Sequence, residues 1–401
     1  MSETPYYISL EEAINIAHKF PLNTEIEQVS LDEAHGRILA ADLSSKVNDP
    51  PFDNSAMDGF AVRFKDTNTA PTTLSIIATS QAAASEDSIS ISTGEAVQIM
   101  TGAPLPKGAD AIIPIEACTT DGDLVTLNQP SKPNFIRRCG ENIKEGVIGL
   151  KEGSHLSPQS ISMCATMGYD QIPVVKKLKI GIISTGDELK SPGETLSFGE
   201  IYESNSYGLS GLVKALGHTP IRYPSVVDSL DDLRRQFDQA SSECNLFLTS
   251  GGVSMGEWDF VRKLMEEEGD VAFWRVRIRP GSPPLFGHWN ETPMFGLPGN
   301  PVSSHVVFRM LVTPYLRDSL RTSFPIDRIV HAKLLTDVRS TNDCLTLRRV
   351  TLLSTKEGFF AEQPKHQGSG NIDSLSSADG LTLLQPGQSG KTGEWIEVLL
   401  L

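Results

Sequence analysis

The sequence predicts a multidomain α/β protein: a three-layer α/β domain with a parallel-rich sheet, an inserted small β domain, a helix-containing linker domain and a C-terminal β-barrel. Three observations lead there. Three strand–helix units follow one another from residue 178, which is the pattern of a parallel sheet covered by helices on both faces. Short β-prone runs broken by turn residues fill 47–146 and again 327–401. The chain has 401 residues, too many for one ordinary core.

The elements follow in order. Residues 9–20 read as an amphipathic helix, with Ser9 and Glu12 spaced as a capping box and Leu10, Ala13, Ile14 and Ala17 at helical spacing. The stretch "NDPPFDNSAMDGFAV" breaks that pattern. After it come "TTLSIIATS", "AVQIMTGAPLP", "DAIIPIEA" and "DLVTLNQ", the strands of a small β domain. Residues 147–177 hold a turn and a helix, and their expected partner is the N-terminal helix. The β domain is then an insertion, and the expected divisions are 1–46 with 147–177, 47–146, 178–326 and 327–401.

From Leu178, "KLKIGIISTGDEL", "IRYPSVV" and "NLFLTSGGV" read as strands. They alternate with the helices "SNSYGLSGLVKALG", capped near Ser204, "SLDDLRRQFDQA" and "EWDFVRKLMEEEG". A further turn, "GLPGNPVSSH", leads into a helix over 302–317. The C-terminal runs are "RIVHAKLL", "CLTLRRVTLL", "GFFAEQ", "GLTLLQPG" and "EWIEVLLL".

Composition limits the function. Hydrophobic content of 39% supports globular packing, and no apolar run approaches the ~18 residues of a transmembrane helix. The first residues lack a basic segment followed by an apolar core, so no secretory signal is expected and the expected location is cytoplasmic. Five scattered cysteines without a C-x-x-C point to reduced, mostly buried thiols rather than disulfides or zinc. A net charge of −15 argues against nonspecific nucleic-acid binding but not against a small anion, since a metal ion inverts the local field.

In parallel sheets ligands bind at the carboxyl ends of the strands. Those ends here carry Thr185-Gly186-Asp187-Glu188, Val227-Asp228 and Ser250-Gly251-Gly252. They direct Asp187, Glu188, Asp228, Glu257 and Asp259 toward one mouth. Each alone is as readily a helix cap. Together, beside glycine turns, they suit a hard cation, Mg²⁺ shared between one or two carboxylates and a substrate phosphate. "LPGNPVS" is a stiff turn aiming the amides of Gly299 and Asn300; the plainer alternative is a helix start. "RVRIRPGSP" puts Arg275, Arg277 and Arg279 at period two, on one face of a strand, where they suit an oxyanion or face solvent beside acids. "KHQGSGNIDSL" offers Gln367, Gly368 and Ser369 in a glycine loop, and Cys139 lies beside arginines. Neither carries weight alone.

The segments "PPFDNSAMDGFAV", "IMTGAPLPKGADAIIPIE", "ISTGDEL", "TSGGVSMGEWDF", "GLPGNPVS" and "HQGSG", in this order across nearly the whole chain, resemble one family. It is the molybdopterin molybdenumtransferases, the MoeA-like proteins that include the E domain of gephyrin. The resemblance implies a four-part subunit whose α/β part is similar to the molybdopterin adenylyltransferase. It implies a homodimer with its site between the α/β part of one subunit and the inserted β domain of the other. The implied substrates are adenylated molybdopterin, delivered by an adenylyltransferase partner, and molybdate. Molybdenum insertion releases AMP with help from a divalent metal.

Carried over by position, the resemblance implies roles for Asp58 and Thr101 in the inserted domain and for the acidic set Glu188, Asp228 and Asp259. Arg275 and Arg279 keep the family's positive charge. Gly251, Gly252, Pro298, Asn300 and Pro301 match the nucleotide and pterin turns, joined by Asp187, Ser250 and Gly299. Ser303, Arg349 and Ser369 match the positions assigned to molybdate. Two departures stand out. The usual "GED" is Gly140-Glu141-Asn142, and the usual "KPGKP" is Arg279-Pro280-Gly281-Ser282-Pro283. A molybdopterin adenylyltransferase and a noncatalytic pterin-binding scaffold remain as alternatives.

Overall fold

The computed structural model describes residues 4–82, 89–227, 229–253 and 259–401. Among these, a seven-stranded mixed sheet carries the α/β unit. Its strands are β1 (Tyr6–Ile8), β2 (Lys179–Ser184), β3 (Thr219–Arg222), β4 (Leu246–Ser250), β5 (Asp270–Val276), β6 (Leu285–Trp289) and β7 (Thr292–Leu297). Their spatial order is β1-β5-β6-β7-β4-β2-β3. The run β7-β4-β2-β3 is parallel, β1 is parallel to β5, and β6 is antiparallel to both its neighbours.

Helices cover both faces. α1 is Leu10–Ala17, α2 Asn205–Ala215, α3 Leu230–Glu243 and α4 Phe260–Glu268. α5, Pro301–Val307, continues through a π turn into Thr313–Ser319. Ile180, Ile182, Leu246 and Leu248 pack with Leu209 and Val213 of α2 and Val302 and Val306 of α5. Ile183 and Phe247 turn the other way, against Leu233 and Phe237 of α3 and Val261 and Leu264 of α4. Buried on both faces, β4 reads as a continuous apolar run, as central parallel strands do.

The N-terminal helix forms as its sequence predicts. Ser9 Oγ accepts from Glu12 N at 3.1 Å and Glu12 Oε2 accepts from Ser9 N at 2.7 Å. Its partner is a correction. α1 packs Ala13 and Ala17 into the core of the seven-stranded sheet with Phe273, Phe286 and Tyr315, not against the helix of 147–177. The cause is β1, which pairs Tyr6 with Trp274 at the sheet edge and so carries the following helix onto the sheet. The helix Pro158–Thr166 instead covers Val29, Leu39, Ile172 and Val174, where strand Ile26–Ser30 pairs with Gln171–Val175.

Strands Gly59–Val62, Thr72–Ser80, Glu95–Ile99, Ala111–Pro114, Cys118–Asp121 and Leu124–Leu127 form a six-stranded sheet over Phe60, Val62, Leu74 and Val125. Toward the C-terminus, Ile329–Leu334, Arg349–Thr355, Gly358–Glu362, Gly380–Thr382 and Trp395–Leu400 close into a barrel around Ala332, Val350 and Val398. All five cysteines are free thiols: two buried, two half-buried, and Cys139 exposed. Among the described residues no helix is long and apolar enough to cross a membrane.

His218, just past α2, supplies a test of acid stability. Burial, reinforced by Arg37 and Lys177, holds its pKa down to about 4. The unfolded chain takes up this proton near pH 6.5 and the folded chain only near 4. The stability is therefore complete above about 6.5 and is lost as the pH falls toward 4, by at most roughly 3 kcal/mol. Lowering the pH from 7 to 5 should lower the Tm of the α/β unit, and His218→Asn should flatten that decline in a calorimetric pH series.

Candidate functional site

A cavity of about 1100 Å³ opens where β2, β4 and β7 end, between the α/β unit and the C-terminal barrel. Two glycine turns form its floor. After β4, Gly251 and Gly252 adopt φ of +104° and +66°. A Cβ on Gly251 would lie 2.9 Å from the Thr185 carbonyl oxygen, and one on Gly252 2.9 Å from a Val261 methyl. Conformation and space both require glycine here. After β7, Pro298-Gly299-Asn300-Pro301 enters α5, with Pro301 in the first helical turn. Ser304 Oγ donates to the carbonyl oxygens of Pro298 and Asn300 and holds the turn. The Asn300 side chain does not cap the helix, so its amide stays on the cavity wall. Ser250, Gly251, Gly252, Pro298, Gly299, Asn300, Pro301 and Ser303 all line the cavity.

Glu188 and Asp259 also line the cavity. Asp259 occupies the N-cap position of α4, yet its side chain makes no capping bond to that helix. Asp187 is exposed and is not part of the lining. Asp228 and Glu257 lie outside the described residues, and among the described residues no three His, Cys, Asp or Glu side chains group as a metal site. Two carboxylates in the lining of one cavity still suit Mg²⁺, which uses one or two protein carboxylates and takes substrate phosphate and water for the rest.

The arginines separate, which corrects the single-face reading. Arg275 and Arg279 line the cavity, while Arg277 reaches Glu12 at 3.8 Å on the other side. Period two fails because Arg275 takes φ of +65° and the strand breaks after Val276. Arg275 Nη1 donates to Tyr6 Oη at 2.6 Å, and its guanidinium lies 5.0 Å from the Tyr7 ring centre. The N-terminal strand thus steadies a cationic wall of the site.

The C-terminal region contributes Arg348, Arg349, Gln367 and Ser369 to the lining. Arg349 is 1% exposed, and its Nη2 donates to Gly368 O at 3.1 Å. Its Nε is buried without a protein partner among the described residues. Burial and the neighbouring Arg348 push its pKa below the usual arginine value, the mark of a cation lacking a counter-charge. The Arg348 guanidinium donates to the Arg339 carbonyl oxygen through Nε and Nη2, so of these two neighbours it is Arg349 that keeps a buried open donor. Ser369 sits beside it, and its carbonyl accepts from Val302 N at 3.1 Å, tying the barrel loop to α5.

Asp58 and Thr101 are not part of the cavity. They meet at the ends of two paired strands of the six-stranded sheet, where Asp58 Oδ1 accepts from Thr101 N at 2.7 Å and Oγ1 at 2.8 Å. The Thr101 backbone N–H foremost holds the Asp58 carboxyl below its usual pKa. Asn142 lies at neither place: its Nδ2 donates to Asp49 Oδ2 at 2.9 Å, where an aspartate would meet like charge. Ser282 lines the cavity but turns its Oγ onto Ile278 O at 2.8 Å.

Two residues carried no decisive sequence signal. Asn205 joins the two glycine turns, and Gln367 binds both backbone groups of Arg349, through Oε1 to N and Nε2 to O, each at 3.0 Å.

Known proteins match this arrangement throughout. Residues 8–168 match the family described as the MoeA N-terminal region (domain I and II), 181–318 a probable molybdopterin binding domain, and 331–401 the MoeA C-terminal region (domain IV). The molybdopterin molybdenumtransferase of Haemophilus influenzae is 39% identical over 77% of this chain and 77% of its own. That of Bacillus subtilis is 32% identical over 98% and 94%. The solved structure of the molybdopterin biosynthesis MoeA protein from Pyrococcus horikoshii OT3 superposes with a TM-score of 0.85 at 28% identity, covering 98% of this chain and all of that one.

The unmatched Arg349 donor gives a direct test. Molybdate, the oxyanion implied by the resemblance, should raise the Tm of the wild-type protein. Arg349→Met should weaken that response at least tenfold in half-saturating concentration, because a buried charged hydrogen bond is worth about 1.5–3 kcal/mol. An undiminished response would place the anion elsewhere.

Proposed function

The chain belongs to the MoeA family of molybdopterin molybdenumtransferases and is an enzyme of molybdenum cofactor biosynthesis; from that premise we propose that it inserts molybdenum from molybdate into adenylated molybdopterin and releases AMP. The observation that carries this reading is one cavity whose lining brings together two glycine turns, the carboxylates Glu188 and Asp259 and the buried Arg349.

The turns Gly251-Gly252 and Pro298–Pro301 hold the pterin and nucleotide ends of the substrate, with backbone dipoles toward its phosphates. Glu188 and Asp259, with Asp228, would hold Mg²⁺, which when bound supplies a Lewis acid for the pyrophosphate. Arg349, Ser369 and Ser303 hold molybdate between the barrel and α5. Arg275 and Arg279 offset the negative charge that gathers when phosphates and molybdate share one space. Water cleaves the pyrophosphate bond, so that AMP leaves with one phosphate and the other stays on the pterin. The two dithiolene sulfurs replace oxygen on molybdate, that oxygen departs as water with the thiol protons, and the molybdenum stays at the same oxidation state. An adenylyltransferase supplies the adenylated substrate, and the reaction takes place in the cytoplasm.

The separation of Asp58 and Thr101 from this cavity favours a homodimer in which the inserted β domain of one subunit completes the site of the other. We also read the chain as four domains, with the linker part starting after α1 rather than at residue 1. A mixed dimer of an Asp58→Asn chain and an Asp259→Asn chain should regain AMP release that each homodimer lacks by orders of magnitude. If the mixture stays as inactive as its parents, or if a monomer of wild-type protein turns over fully, the shared site is wrong.

Ser282 marks a quantitative difference from lysine-bearing relatives. One added charge at about 4 Å and an effective dielectric near 20 is worth roughly 4 kcal/mol before desolvation, and a quarter of that is about fivefold in affinity. Ser282→Lys should lower half-saturating molybdate several-fold, and less so at high salt. It should also lose about 1 kcal/mol of stability with the bond to Ile278 O. Unchanged molybdate dependence would remove position 282 from the anion's surroundings.

A further inference from the structure

Asn205 lies in the first turn of α2 and reaches across the cavity floor. Its Nδ2 donates to Ser250 Oγ and to the Gly299 carbonyl oxygen, both at 2.7 Å. Ser250 ends β4 at the Gly251-Gly252 turn, and Gly299 belongs to the turn after β7. The two turns are close: Gly251 N donates to Leu297 O at 3.0 Å, and a Cβ on Gly299 would come 3.5 Å from the Gly251 Cα. One nitrogen with two hydrogens thus bridges both turns. A carbonyl oxygen as acceptor fixes which end of the amide faces them.

The helix that presents Asn205 is itself anchored. Glu203, 5% exposed, accepts from Ser184 Oγ at the end of β2 at 2.9 Å and from Ser206 N and Oγ at 2.7 and 2.6 Å. Arg222, at the end of β3, donates to Ser206 Oγ at 3.0 Å and stacks over the Tyr207 ring at 3.5 Å. Ser204 stands at the N-cap but makes no side-chain capping bond, so Glu203 does the work expected of it. Although Glu203 lines the cavity, both its oxygens are occupied by these donors, and it serves as an anchor.

We infer that Asn205 is a positioning residue that locks the two ligand turns to each other, with α2 as its fixed mount; this rests on the reading that adenylated molybdopterin occupies the cavity. Its effect falls on binding, because the turns must be held at one spacing before a ligand that touches both can be seated.

The test compares Asn205→Asp and Asn205→Ala with the wild type. Asp keeps the shape but puts an acceptor against the Gly299 carbonyl; Ala removes the bridge and suits a helix start. Both should raise the KM for adenylated molybdopterin at least tenfold, with kcat within about threefold and Tm within a few degrees. Ser250→Ala should raise KM in the wild type and add little in the Asn205→Ala background. Titration calorimetry with adenylated molybdopterin separates the two levels. No binding by the wild type overturns the site reading itself. Equal binding by wild type and Asn205→Asp, or fully additive Ser250 and Asn205 effects, overturns the role of Asn205 alone.

Discussion

The site depends on one constraint: β2, β4 and β7 run parallel, side by side, and end level. Ser184 pairs with Ser250 and Ser250 with Leu297, so the chain leaves three neighbouring strands at the same height. Three turns share that edge, and at Gly251 the Thr185 carbonyl comes too close for a Cβ, which with the positive φ is why glycine sits there. The polar contacts of Asn205, Glu203 and Ser304 follow, since crowded turns have backbone groups that need partners. An antiparallel arrangement would send alternate turns to the opposite edge and scatter the same residues.

The second wall is held by other means. Arg349 sits at the start of a barrel strand, and Gln367 imitates a neighbouring strand by bonding its N–H and C=O together. That amide keeps the glycine loop beside the buried guanidinium, and the Val302–Ser369 bond carries the loop to α5. A cation is buried here because the backbone around it is fixed on both sides, so it cannot swing to solvent. The lining carries charge of both signs, Glu188 and Asp259 with Arg275, Arg279 and Arg349, which suits a ligand bringing both anionic groups and a cation to one space.

Local signals were legible in the sequence, and long-range ones were not. The Ser9–Glu12 capping box, the glycine turns and the barrel strands each depend on neighbours in sequence, and each formed where read. The partner of α1 was misjudged because edge pairing of β1 with β5 leaves no periodic trace. Arg277 was misplaced because alternation assumes a regular strand, and a positive φ at Arg275 breaks it. Asn205 has no signal in the sequence, and Gln367 only the weak one of its glycine loop, for a shared reason. A lone amide gives no pattern, and its value comes from which backbone groups the fold brings within 3 Å. The departure at Asn142 reads as a loss of charge in sequence, yet in the fold it is a hydrogen bond that an aspartate could not donate.

The position of β1 has a consequence for biosynthesis of the chain. Its partner, β5, emerges from the ribosome only after the six-stranded sheet, the linker and three strands of the α/β sheet. Until then the apolar face of α1 has no core to join, whereas the six-stranded sheet is complete in itself and free to fold at once. The first residues made therefore wait for the middle of the α/β unit before they can be placed. Tyr6 can meet Arg275 only once β5 has been made, so the cationic lining of the site joins residues 269 positions apart in the chain.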